Sequence, residues 1–291
     1  MYSSYGSGLR ENLRNKVTPL KADIRAWLIN TGLILVAAWI LFPLFFLVIS
    51  SLKDDVSIFN YPPTILFTPS FESFSVEALS PWVGYFFNST FVSVGSTLLS
   101  LIIGVPGAYS LARFSIPRKN LNAMTILSVR IIPPIVTLVP FFLMFLFLGL
   151  DDTYLGLILV YTMFDLPYVI WVNRGFMEAI PKAAEEAAQL DGCSTIQVLT
   201  RIVLPVCKAG LAVTAVFCFV QSWNDFPLAF ALTATHTRTI PVALASLISI
   251  RLVLWNQIFA IGVLNLIPAL ALAMLVRRYW VRGLTLGMVK G

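Results

Sequence analysis

The sequence predicts an all-α membrane protein with six transmembrane helices, and three observations carry that prediction. Of 291 residues, 58% are hydrophobic types and only 12% are charged, against about 25% charged in an ordinary soluble domain. Mean hydropathy is +0.86. Apolar runs of about 20 residues, the length a helix needs to cross a bilayer, recur six times along the chain. A soluble fold of this size cannot cover itself with so little charge, which excludes a soluble enzyme and a disordered chain. The runs lack the period-two alternation of membrane barrel strands.

Taken in order, residues 1–25 form a basic N-terminal arm. Residues 26–281 form the transmembrane domain. Its first span is Trp27–Leu52, too long for a cleavable signal sequence and without a small-residue cleavage site close behind it. An outer loop, 53–86, holds Asp54, Asp55, Glu72 and Glu77 among four prolines, and little regular structure is expected there. The second span is Phe87–Leu111, interrupted by Gly104, Pro106 and Gly107. The third is Ala123–Leu148, interrupted by Pro133, Pro134 and Pro140, whose freed carbonyls need new partners. The fourth is Tyr154–Val172. A long polar loop, 173–208, precedes the fifth span, Ala209–Leu232, and the sixth is Ile258–Tyr279. Residues 282–291 close the chain as a tail.

Orientation follows from Lys and Arg. Of 20 such residues, sixteen fall on the side that holds both termini and three on the other, with Arg130 inside a span. That asymmetry places both termini in the cytoplasm. It also makes the pI near 9.3 a consequence of topology, which removes nucleic acid as a partner. Three cysteines, Cys193, Cys207 and Cys218, have no metal-ligand spacing and read as bystander thiols.

The 173–208 loop is longer than a hairpin between helices requires. Helix formers run from Lys182 to Leu190. Asp191-Gly192 follows as a turn, and a second amphipathic stretch ends at Leu204-Pro205. Helix, turn and short helix make a candidate docking element. Ala187 and Ala188 permit close helix approach, and Glu186 can pair with a cation on a partner. Gly192 allows a left-handed turn, and Asp191 can accept from amides there. The chain has no G-x-x-x-x-G-K-[ST] phosphate loop, so any ATP-driven work needs ATP hydrolysed on another chain.

Glu185-Glu186-Ala187-Ala188-Gln189-Leu190-Asp191-Gly192, then nine residues, then Ile202-Val203-Leu204-Pro205, resembles the EAA loop of permease subunits of ATP-binding-cassette importers, with every spacing matched. Trp223-Asn224-Asp225-Phe226, Pro133-Pro134, and Leu148-Gly149-Leu150-Asp151-Asp152-Thr153-Tyr154 resemble stretches of the carbohydrate-uptake permeases. The ending from Arg282 to Gly291 resembles the smaller maltose-type permease subunit.

The resemblance implies a type I importer permease fold in a bacterial inner membrane. It implies a heterodimer with a second permease, two ATPase subunits below and a solute-binding protein above, and a carbohydrate cargo, most readily an oligosaccharide. It makes Glu185, Glu186, Ala187, Ala188, Asp191 and Gly192 the residues that couple to the ATPase. The chain itself is expected to bind no cofactor, since ATP and Mg belong to the ATPase, and to perform no catalysis.

Charges inside a span are costly and face a cavity or a partner. Arg130 lies in the third span, Asp165 in the fourth and Asp225 in the fifth. They either line the solute path or pair across helices, Arg130 with Asp165 being the natural ion pair. Tyr161, Tyr168, Gln221, Asn224 and Asp225 combine polarity with membrane depth and are the candidate pathway residues. Ser89, Ser93, Ser96 and Ser100 share one helical face and read as a packing stripe. His236, in an outer loop, reads as a surface residue.

Two other classes compete. An ion-gradient-driven secondary transporter needs a self-sufficient pore, usually with internal repeats, and no clear repeat is visible. A membrane enzyme needs converging catalytic groups, and one histidine in an outer loop makes a poor case.

Overall fold

A computed structural model describes residues 5–62, 67–248 and 253–286, with side chains described for 26–62, 67–248 and 253–277. The sequence expectations for the side chains of 1–25 and for residues 287–291 lie outside the described set. The described residues are helical apart from turns and one isolated β-bridge, Ile248 to Val253.

Helix α1 (Tyr5–Ser51) is followed by short helical turns within 55–82, so the outer loop carries more regular structure than its prolines suggested. Helix α2 (Val83–Arg113) comes next, then α3 (Lys119–Ser128) and α4 (Pro134–Phe147). Helix α5 (Tyr154–Glu178) leads to α6 (Lys182–Leu190) and α7 (Thr195–Val206, with a π-turn at Leu199–Val203). The remaining helices are α8 (Lys208–Trp223), α9 (Pro227–Leu232), α10 (Ile240–Ser246) and α11 (Trp255–Leu286).

Four helical segments are long and apolar enough to cross a membrane: Ala26–Ser51, Val76–Arg113, Tyr154–Glu178 and Trp255–Arg277. Two bent pairs bring the number to six. Lys119–Ile131 meets Pro134–Phe147 at 89°, and Thr195–Val206 meets Lys208–Trp223 at 82°.

The third span therefore breaks at Pro133. Ile132 and Pro133 are extended, with ψ of 117° and 133°, because a residue before proline is pushed out of the α region. The second span is corrected in the other direction. Pro106 sits inside a continuous α2, as Pro140 does in α4 and Pro167 in α5. The fifth span is also shorter than expected. It stops at Trp223, and α9 restarts at Pro227, the helix position where a missing N–H costs nothing.

Helices α2 and α5 form the central pair, and α8 packs against both. Close approach explains the pairing. A Cβ on Gly104 would lie 2.5 Å from Val169 Cγ1. Ser89, Ser93, Ser96 and Ser100 are all buried on this face of α2. The Ser96 hydroxyl meets that of Ser222 on α8 at 3.0 Å. Helix α1 packs on α11 and leaves Trp39, Phe42, Phe45 and Phe46 exposed, as a surface facing lipid or another subunit must.

Candidate functional site

Both ends of α6 are set by local sequence. Pro181 precedes its first turn. At its other end Gly192 takes φ of 85°. The Gly192 amide donates to the Gln189 carbonyl and the Cys193 amide to the Ala188 carbonyl, both at 3.0 Å. This is a Schellman closure, and a left-handed glycine is what it needs. Ser194 and Gln197 then form a reciprocal capping box that starts α7. Asp191, expected to brace the turn with its carboxylate, is exposed and accepts no hydrogen bond among the described residues. Backbone groups already close the turn.

Glu185 faces into its own chain. It is 4% exposed, and its Oε1 lies 2.5 Å from Arg113 Nη2 at the end of α2. Tyr109 Oη donates to Glu185 Oε2 at 3.0 Å. Arg113 Nη2 also donates to the carbonyls of Met177, at 2.7 Å, and Ile180, at 3.0 Å. One guanidinium thus joins α2, the end of α5 and α6. Among the residues that the resemblance assigns to coupling, Glu185 thus faces its own chain and anchors the helix. Ala188 is buried on the same side. Glu186, Ala187 and Leu190 project outward, Leu190 with 90% of its surface exposed.

Within the membrane a cavity of about 110 Å³ is lined by Arg130, Tyr161, Asp165, Gln221 and Asp225. Tyr168 and Asn224 do not line it; the Asn224 amide donates to the Val220 carbonyl at its own helix end. Arg130 and Asp165 do not form an ion pair. The Arg130 guanidinium lies over the rings of Tyr168, at 5.1 Å, and Phe217, at 4.8 Å, a stable seat for a desolvated cation. Asp165 Oδ2 accepts from the Ser222 hydroxyl at 3.4 Å. Asp225 Oδ2 accepts from the Leu228 and Ala229 amides and from Tyr161 Oη, each at 3.1 Å. That carboxylate fastens the start of α9 to α5.

A second carboxylate does comparable work at the opposite end. Asp152, with φ of 48°, accepts from the amides of Ala234, Thr235, His236 and Thr237, each at 3.0 Å. Burial pushes its carboxyl up. The four amides outweigh that and hold it well below the usual carboxylate range. Tyr154 Oη donates to Asn88, whose amide donates to the carbonyls of His236 and Arg238. The loop around the exposed His236 is thereby tied to α2 and α5. In the sequence Asp152 stands only within a motif, and Arg113 is only one of the sixteen basic residues on the side of the termini.

The family model described as "Binding-protein-dependent transport system inner membrane component" matches residues 100–285. The chain belongs to this family. Its relatives include a probable ABC transporter permease protein of Sinorhizobium fredii, 34% identical over 86% of this chain and 90% of that protein. A trehalose/maltose transport system permease protein of Thermococcus litoralis is 31% identical, over 91% and 96% of the two chains. The fold matches a chain of a bacterial ABC transporter involved in the import of alginate. That match has a TM-score of 0.71 at 23% identity and covers 89% of this chain and 97% of the other. The protein is a non-catalytic membrane subunit of an ATP-driven importer, and ATP is hydrolysed on a partner chain.

Proposed function

We propose that this permease forms one half of the pathway of a carbohydrate importer and that α6 is its lever. The reading assigns it a second permease subunit, two ATPase subunits that carry ATP and Mg, and a solute-binding protein on the outer side. Both termini lie in the cytoplasm. The single observation that carries the lever is the division of α6 into two faces. Glu185 and Ala188 anchor the helix to α2 and α5, which leaves Glu186, Ala187 and Leu190 for a partner. A force on that outer face passes through the Arg113 guanidinium into the central helix pair.

Two relatives, by name, carry trehalose or maltose, as above, and arabinooligosaccharides. The latter, from Halalkalibacterium halodurans, is 29% identical over 96% of this chain. Their names support a carbohydrate cargo of short oligosaccharide type. Arg130, Tyr161, Asp165, Gln221 and Asp225 are the proposed polar wall of the path on this half. Tyr168 acts on that wall through Arg130.

The test is uptake of labelled maltose, trehalose and arabinotriose into proteoliposomes holding the whole complex with its binding protein. The reading expects uptake of at least one sugar, abolished by omitting ATP and unaffected by collapsing ion gradients. Uptake driven by a gradient without ATPase subunits contradicts it in favour of a secondary transporter.

A further inference from the structure

We propose that the protein holds the phosphodiester headgroup of an anionic membrane lipid in a basic cavity beside the coupling helix. The cavity, about 700 Å³, is walled by the segment Arg113–Leu121 that links α2 to α3, and by Lys182 at the start of α6. Four cations border it. Arg113 is neutralised by Glu185. Arg118, Lys119 and Lys182 have no acidic partner among the described residues. Of the carboxylates in this region, Glu185 is taken by Arg113 and Glu178 by Arg174 at 2.9 Å, while Glu186, one turn after Lys182 on α6, is exposed and in no ion pair among the described residues. Three cations outside any ion pair among the described residues therefore border one open cavity.

The neighbouring surface says what kind of anion fits. A second cavity of about 260 Å³ shares Asn120 with the first and is walled by Met124, Trp171, Gly175 and the paired Arg174 and Glu178. Phe114, Leu121 and Met124 are exposed around the two. A basic cavity beside a partly apolar one suits an amphiphile, with phosphate in the first and an acyl chain against Met124, Trp171 and the exposed Phe114 and Leu121. The exposed tryptophan belongs at the depth where headgroups meet chains. A cation cluster at the end of a transmembrane helix is the usual recognition element for such headgroups. Free phosphate would use the first chamber and leave the second unexplained.

The site matters to coupling because Lys182 opens α6, three residues before Glu185. A lipid phosphate between Lys182 and Arg118–Lys119 would clamp the lever helix to the α2–α3 link from the membrane side. The proposal rests on the chain spanning a bilayer and not on the identity of its cargo.

The test uses the complete transporter in nanodiscs of phosphatidylcholine containing phosphatidylglycerol, released into native mass spectrometry. Wild type should retain phosphatidylglycerol over phosphatidylcholine. The variant Arg118→Asn/Lys119→Gln/Lys182→Gln should lose that preference by roughly 100-fold, given about a fivefold step per charge; asparagine is chosen because it tolerates the left-handed backbone at Arg118. Should the triple variant fail to assemble, wild type alone decides, because a photoactivatable phosphatidylglycerol should cross-link to the peptide containing Leu121 and Met124. Equal retention in the variant, or labelling only elsewhere, overturns the site. Displacement of the lipid by millimolar inorganic phosphate would reassign it to a soluble anion. Protection of Lys119 and Lys182 from acetylation by the ATPase subunits, with lipid absent, would reassign it to a protein partner.

Discussion

Arg113 and Glu185, 72 positions apart, form a buried ion pair that binds the coupling helix to the end of α2. The pair is shielded from water, and Tyr109 and two backbone carbonyls complete its hydrogen bonds. Removing one partner strands a buried charge, at a cost of about 3–5 kcal/mol. We expect Glu185→Ala to release α6 and abolish ATPase retention during purification. Glu185→Gln keeps one carbonyl acceptor for Arg113, its amide NH2 donating to Tyr109 Oη instead, and should lose less. Co-purified ATPase per permease measures both; equal loss, or none, contradicts the anchoring role.

Asp152 gives a prediction with a pH sign. Its carboxyl is held below the usual range by the 234–237 amides, so its folded value lies below its unfolded value near 4. The contribution to stability is fully present above the unfolded value and is lost as pH falls through the lower folded one. Amide exchange at 234–237 should stay slow and constant from neutral pH to about 5, after correction for intrinsic rates, and accelerate only in stronger acid. Asp152→Asn should remove most of that protection at every pH, because a neutral amide replaces a charged acceptor worth about 1.5–3 kcal/mol.

Gly104 lies where α2 and α5 touch. Any Cβ there meets Val169 Cγ1 at 2.5 Å and Cβ at 2.9 Å. Both neighbours are branched side-chain atoms on a buried helix face. Gly104→Leu should cost roughly 1–3 kcal/mol or force the helices apart. The thermal midpoint of the purified complex, followed by size-exclusion fluorescence, should fall. An unchanged midpoint would show that the pair yields more easily than its packing suggests.

For Arg130 the structure predicts an order of coupling energies. Its guanidinium sits on Phe217 and Tyr168, not on Asp165. A double-mutant cycle of Arg130→Met with Phe217→Leu should give about 1–2 kcal/mol. The cycle of Arg130→Met with Asp165→Asn should give less. The reverse order would restore the ion pair.

Much of this fold was readable because its signals are local. Six apolar runs, the helix–turn–helix of the 173–208 loop and the left-handed Gly192 all arise from neighbours within one or two turns. What escaped depends on distance in the chain. Glu185 and Glu186 are adjacent and chemically alike, and only Arg113 tells them apart by burying one. Asp152 looks like any loop acid until four amides from 82–85 positions later close around it. Charge alone left Arg130 open between the solute path and a pair with Asp165, whereas the turn that carries it delivers it to two rings. The break after Trp223 was locally signalled by Pro227 and was overridden by the apolar run on either side.

The central claim is that the outer face of α6 meets the ATPase. The most direct measurement places p-benzoylphenylalanine at Leu190, 90% exposed and aimed away from the anchored face, and irradiates the assembled transporter. The account predicts a covalent adduct between this chain and the ATPase subunit, greatly reduced when Gly192→Val, in the same chain, distorts the turn that ends the helix. Adducts with lipid or the second permease alone, and none with the ATPase, would contradict it.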